Sequence, residues 1–165
     1  MFYKGVIIGL DFDGTVVTHE FPEMGNDIPN CLETLKRITD QDGKLVLITM
    51  RSGKALAEAV AYLTYHKIPL FGVNNNPSQQ SKSPKIFANI YIDDAALGCP
   101  LINSELSSNA YVDWEQVEKH LFPEEGESGI KSVLMEAPVY DDIPDTKTNK
   151  FFSFFTNVLS KLNLS

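Results

Sequence analysis

Apolar positions along this chain follow two patterns, short unbroken runs and runs spaced three or four residues apart, and the two alternate. Val6-Ile7-Ile8-Gly9-Leu10 is a continuous run rich in β-branched residues that ends in acids, as expected for a strand covered on both faces. Ile28, Cys31, Leu32, Leu35 and Ile38 then recur at helical spacing. Pro29 near their start and Gly43 past their end bound an amphipathic helix over about residues 29 to 42. Residues 45 to 48 (LVLI) form a second buried strand. Ser52 is placed to cap a helix whose face is drawn by Leu56, Val60 and Leu63 and which ends before Pro69. A third strand covers residues 70 to 73, a polar loop covers 74 to 81, and residues 86 to 92 form a fourth strand closed by Asp93 and Asp94. The order predicts the α/β class: a Rossmann-like three-layer sandwich whose parallel sheet has helices on both sides.

Beyond the fourth strand, Asp113 is a plausible N-cap for a short helix that turns Trp114, Val117 and Leu121 inward, and the compact domain is expected to span residues 1 to 122. Residues 123 to 148 carry Pro, Gly, Ser and acids without periodicity, the composition of an acidic linker or surface arm, with Val133, Leu134 and Met135 as a docking point. Over residues 149 to 165, Phe151, Phe152, Phe154, Phe155, Val158, Leu159 and Leu162 draw one apolar face on a C-terminal helix. That face can pack on its own domain, join a second subunit in a homo-oligomer or bind a partner. With only Lys150 and Lys161 beside it, a membrane surface is the least favoured of these.

Composition narrows the functional classes. The chain has 165 residues, 43% apolar and 22% charged, which suits one globular domain and excludes a disordered, collagen-like or coiled-coil protein. A net charge of −8 argues against a protein that holds nucleic acid by neutralising many phosphates, though a local cationic pocket stays open. The arm between Pro123 and Thr148 carries five of those eight excess charges. Cys31 and Cys99 make no disulfide framework and no zinc spacing, so both read as reduced thiols. The first apolar segment is too short for a leader and no run has the length of a membrane span, which points to a cytoplasmic protein with no membrane attachment.

In a parallel α/β sheet the ligand crevice lies beyond the carboxyl ends of the strands. Three strand ends here are polar: Asp11-Phe12-Asp13-Gly14-Thr15, Thr49-Met50-Arg51-Ser52-Gly53, and Asp93-Asp94, with Lys82 and Lys85 ahead of the last. These residues resemble the haloacid dehalogenase-like (HAD) phosphatases, whose first motif has the form D-x-D-G-T. Here DFDGT, LVLIT, Lys85 and YIDD stand in that family's order, at intervals of 38, 36 and 8 residues. FPEMG, ITMRSG and SPKIFANIYIDDAALG resemble a subgroup of small bacterial and phage members without a cap domain. In that subgroup an Arg is expected after the paired acids, where this chain has Ala95. The intervals leave no room for a lid domain.

The resemblance implies a phosphatase acting on a phosphomonoester, and the chemistry supports each role. Asp11 is the expected nucleophile, forming an aspartyl-phosphate and splitting one slow step into two. Asp13 is the expected general acid and base, a residue that the dehalogenase branch of the family lacks. Mg²⁺ suits a crevice with several carboxylates and a phosphate, held by Asp11, the Asp13 backbone carbonyl and Asp93, with Asp94 either a ligand or a support for one. The Thr49 hydroxyl and the Lys85 ammonium are expected on the phosphoryl oxygens. Gly14, Thr15 and Arg51 are expected to contact substrate, Arg51 alternatively pairing with the acids.

Lys82 competes with Lys85 for its role, and Lys85 is favoured by its distance from the fourth strand. His19 reads as a solvated loop residue. Asn74, Asn75 and Asn76 read as turn chemistry, or as donors to a base or sugar. An open crevice admits a nucleic-acid end or a phosphoprotein, or else needs a second subunit to cover a nucleotide or sugar phosphate. The acidic balance favours the small molecule.

Two other classes compete with this reading. A receiver-like signalling domain also uses an aspartyl-phosphate, but places its acid pair on the first strand and its acceptor on a later one. A catalytically silent phosphatase fold would instead work as a binding module through the arm and the C-terminal helix.

Overall fold

The computed structural model describes residues 3–123, so the arm beyond Pro123 and the aromatic C-terminal helix lie outside the described residues. Among the described residues, those up to Gln79 and from Ser83 to Pro123 form one compact unit, while Gln80–Lys82 belong to a second. In chain order the elements are β1 (Ile7–Leu10), α1 (Cys31–Asp40), β2 (Lys44–Leu47), α2 (Gly53–Tyr65), β3 (Leu70–Val73), β4 (Ile90–Ile92), β5 (Leu101–Ile102), β6 (Tyr111–Val112) and α3 (Trp114–Leu121). The first four strands form a parallel sheet in the order β3-β2-β1-β4, and the α/β class is as the alternating pattern predicts. The antiparallel pair β5–β6 was not anticipated, since two-residue strands carry no periodicity to read.

Strand order explains the layers. The steps from β1 to β2 and from β2 to β3 run in the same direction, so right-handed crossovers put α1 and α2 on the same face. There Leu35, Ile38, Ala59 and Leu63 pack with Ile8, Leu10, Leu45 and Leu47 of the strands, and α3 joins them through Trp114, Val117 and Leu121. The step from β3 to β4 reverses direction and crosses the opposite face. Helices were expected on both sides. Among the described residues, that second face is covered instead by an irregular segment, with Ile86, Phe87 and Ala88 against Ile7, Val46 and Phe71.

The same segment shortens the fourth strand, which was expected over residues 86 to 92. Asn89 Oδ1 accepts from Ile7 N at 2.8 Å, Gln79 Oε1 from Phe87 N at 2.7 Å, and the Tyr91 hydroxyl donates to Ile86 O at 2.6 Å. Side chains serve that backbone where a strand ladder would have done so. Ser52 makes no side-chain cap on α2. Asp113 does cap α3, accepting from Gln116 N at 3.1 Å, so Asp113→Ala is expected to cost about 1 kcal/mol in urea unfolding. Among the described residues no helix is long and apolar enough to cross a membrane.

Candidate active site

The chain's progress across the sheet reverses between β1 and β4, which is where a parallel sheet opens a crevice at the carboxyl ends of its strands. Asp11 leaves β1 there, its N–H still donating to Ile92 O at 3.0 Å, and Asp93 and Asp94 leave β4 beside it. Asp11, Asp93 and Asp94, all half-buried, each offer a carboxylate oxygen within 4.8 Å of the others. The turn that allows this is tight. Gly14 has φ +79°, and a Cβ on it would lie 2.3 Å from Asp94 Oδ2, so any other residue would strain the backbone and displace the Asp94 carboxylate.

Among the described residues, charge in this cluster is only partly offset. Burial, followed by the Asp93 and Asp94 charges, pushes the Asp11 carboxyl up to about 7 against hydrogen bonds that favour its ionised form. Burial and Asp93 also raise Asp94, and His19 partly offsets this. Among the described residues no Lys or Arg pairs with any of the three acids. Hard oxygen donors crowded without a counter-charge fit a small divalent cation such as Mg²⁺.

A pH dependence follows for the metal-free protein. Folded Asp11 holds its proton to a higher pH than the unfolded chain, so its contribution to stability is most favourable below the ordinary carboxylate range and is lost as pH rises through about 7. Thermal melts in EDTA are therefore expected to show a lower Tm at pH 8 than at pH 5. Asp11→Asn is expected to reduce that difference, and added Mg²⁺ to raise the pH 8 value.

The end of β2 supplies Thr49 and Arg51. Asn74 braces this turn, its Oδ1 accepting from Thr49 N at 2.8 Å and its Nδ2 donating to Thr49 O at 2.9 Å. The Thr49 hydroxyl accepts from Arg51 N at 3.1 Å, which leaves its own proton for another acceptor. Arg51 is buried, and its guanidinium grips the Asp13 carboxylate with both arms, Nε to Oδ2 at 2.8 Å and Nη2 to Oδ1 at 2.6 Å. It also donates to Glu23 O at 2.8 Å and Pro22 O at 3.4 Å and lies over the rings of Phe12 and Phe21. Of the two roles open to Arg51 from sequence, pairing with an acid is the one it fills. Nε, Nη1 and Nη2 each donate to an acceptor of the protein, so these contacts favour the pairing role over the substrate-contact role.

Gly14 and Thr15, also expected to contact substrate, are likewise engaged within the protein. Both are buried. The Thr15 hydroxyl donates to Asp11 Oδ2 at 3.2 Å and accepts from Asp94 N at 3.2 Å, linking the acids of the two strands. Gly14 N and O are bonded to Val17 O and Val112 N. These bonds position the acids. Two supports went unread: Val112 of β6, and Trp114, whose indole N–H donates to Thr15 O at 2.6 Å. The signal for the second was present, since a buried indole N–H needs an acceptor.

Lys85 is not brought onto the acids. Its side chain is exposed and pairs with no carboxylate among the described residues. Lys82, its rival, falls in the Gln80–Lys82 segment of the second unit. Ala95 donates its N–H to Asp93 Oδ1 at 2.8 Å. Asn76 forms a local turn with Ser78 and holds Phe87 O at 2.9 Å, so it serves the chain itself. A cavity of about 300 Å³ lies beside β4, lined by Tyr91, Leu97, Cys99, Pro100 and Val117 among others, and none of the acids borders it.

Comparison with known proteins yields a single informative likeness. No protein-family profile matches the chain, and no curated protein matches it. A solved structure of a conserved protein from Bacteroides thetaiotaomicron is similar at 29% sequence identity, with a TM-score of 0.59, over 70% of this chain and 88% of that one. The likeness supports the α/β fold with its parallel sheet and a bacterial relative of the same architecture.

Proposed function

We propose that this chain is a HAD-like phosphatase, a Mg²⁺-dependent phosphomonoester hydrolase working through an aspartyl-phosphate on Asp11. The observation that carries the reading is the meeting of Asp11 with Asp93 and Asp94 within 4.8 Å at the reversal point of the sheet, with Asp13 two residues along the same turn. In the first step an Asp11 carboxylate oxygen attacks phosphorus, the ester P–O bond breaks, and the proton carried by Asp13 passes to the departing alcohol oxygen. In the second, water attacks phosphorus and gives a proton to Asp13. The acyl phosphate bond breaks, and the Asp11 carboxylate and inorganic phosphate are released.

Held by Asp11, Asp93, Asp94 and the Asp13 carbonyl, Mg²⁺ would supply positive charge against the phosphoryl oxygens. Thr49 offers a hydroxyl proton from the neighbouring strand end, and Thr15 orients Asp11. With both oxygens held by Arg51, Asp13 must give up one of those contacts and take up a proton at that oxygen before it can protonate the leaving group. The reading is tested by phosphate release from p-nitrophenyl phosphate with Mg²⁺ and with EDTA. No metal-dependent release above background would remove it. The substrate is proposed to be a small phosphomonoester, and a cytoplasmic setting suits such a reaction.

A further inference from the structure

Residues 16 to 28 form an irregular hairpin after the first acids. Thr18 N donates to Asn26 O at 2.9 Å, Asn26 N to Thr18 Oγ1 at 2.9 Å and Ile28 N to Val16 O at 3.4 Å, leaving residues 19 to 25 as its tip. Arg51 holds that tip through the carbonyls of Pro22 and Glu23. The Phe21 ring lies over the same guanidinium, its centroid 5.5 Å from Cζ, and the residue is 55% exposed. Met24 on the tip and Met50 beside Arg51 are exposed as well. One guanidinium therefore holds the Asp13 carboxylate and backs an open aromatic ring.

We infer that Phe21 is the platform on which the leaving group of the substrate rests, and that the substrate is a phosphomonoester whose alcohol carries an uncharged aromatic ring. The inference rests on the hydrolase reading and goes beyond it. In that reaction the leaving oxygen meets Asp13, so the rest of the alcohol departs alongside the groups that share Asp13's holder, and of the two rings on that guanidinium Phe12 is buried and Phe21 exposed. An exposed aromatic ring fixed from behind by a cation offers a flat apolar surface suited to stacking. Glu20 and Glu23, exposed on the tip, and the carboxylates below it disfavour a leaving group that is itself anionic.

The test compares 2-phenylethyl phosphate with ethyl phosphate, whose leaving alcohols are similarly basic, so that the ring is the main difference. With Mg²⁺, wild type is expected to prefer the phenyl substrate. Phe21→Ala is expected to raise its KM about tenfold while changing kcat/KM for ethyl phosphate less than about twofold, and Phe21→Trp to retain the preference. Equal losses on both substrates, or no loss on either, overturn the inference and leave the hydrolase reading standing. Absence of Mg²⁺-dependent phosphate release from both substrates by wild type overturns the two together.

Discussion

Asp11→Asn is expected to lower Mg²⁺-dependent phosphate release by at least about 10³-fold, because the amide is neither a competent nucleophile nor an anionic metal ligand. The substitution keeps the shape of the side chain and can still accept from the Thr15 hydroxyl. It also removes a buried carboxyl whose ionisation the fold disfavours. Loss of activity should therefore come with a metal-free protein at pH 8 no less stable than wild type, measured by thermal unfolding in EDTA. A variant that lost activity through unfolding would show the opposite. Retention of metal-dependent turnover would remove Asp11 from the chemistry.

Arg51→Met is expected to destabilise the protein by about 3–5 kcal/mol in urea unfolding, the usual cost of leaving one member of a buried ion pair without its partner. The side chain of Arg51 is 0% exposed and that of Asp13 12% exposed. Removing the guanidinium leaves the Asp13 carboxylate without either arm of its clamp and deprives the Pro22 and Glu23 carbonyls of donors. Adding Asp13→Asn removes the uncompensated charge, so the double variant is expected to be more stable than Arg51→Met alone, a coupling that a double-mutant cycle measures. Arg51→Lys keeps the charge but not the two-armed geometry and should fall between wild type and Arg51→Met. Additive effects across the cycle would mean that the pair does not act as a unit.

The candidate site was legible where chemistry coincides with strand ends. Apolar runs ending in Asp11, Thr49 and Asp93 mark both the strands and their carboxyl termini, and a parallel sheet brings those termini to one edge. Arg51 was legible as a residue of the site but not in its role, because a guanidinium two residues from a strand end can face solvent, phosphate or carboxylate with equal local plausibility. Which it meets depends on the path of residues 16 to 28, set by bonds such as Thr18 to Asn26 that leave no periodic trace. Lys85 shows the converse. Its spacing to Asp93 suits the family pattern, yet side-chain bonds from Asn76, Gln79 and Tyr91 shape the segment after it, and its ammonium stays exposed.

By itself the sequence determined the alternation of buried strands and amphipathic helices, hence a parallel sheet, and the acids that must gather at its carboxyl edge. Those features follow from local periodicity and from the handedness of crossovers, which act within a few tens of residues. Only the tertiary structure decided the rest. It laid an irregular segment over the second face of the sheet, where residues 86 to 89 were expected to be strand, turned Arg51 onto Asp13, and made Thr15 a link between Asp94, 79 positions away from it, and Asp11, four away. Such pairings depend on which long-range partner satisfies each buried donor and acceptor, and that choice exists only once the chain has packed.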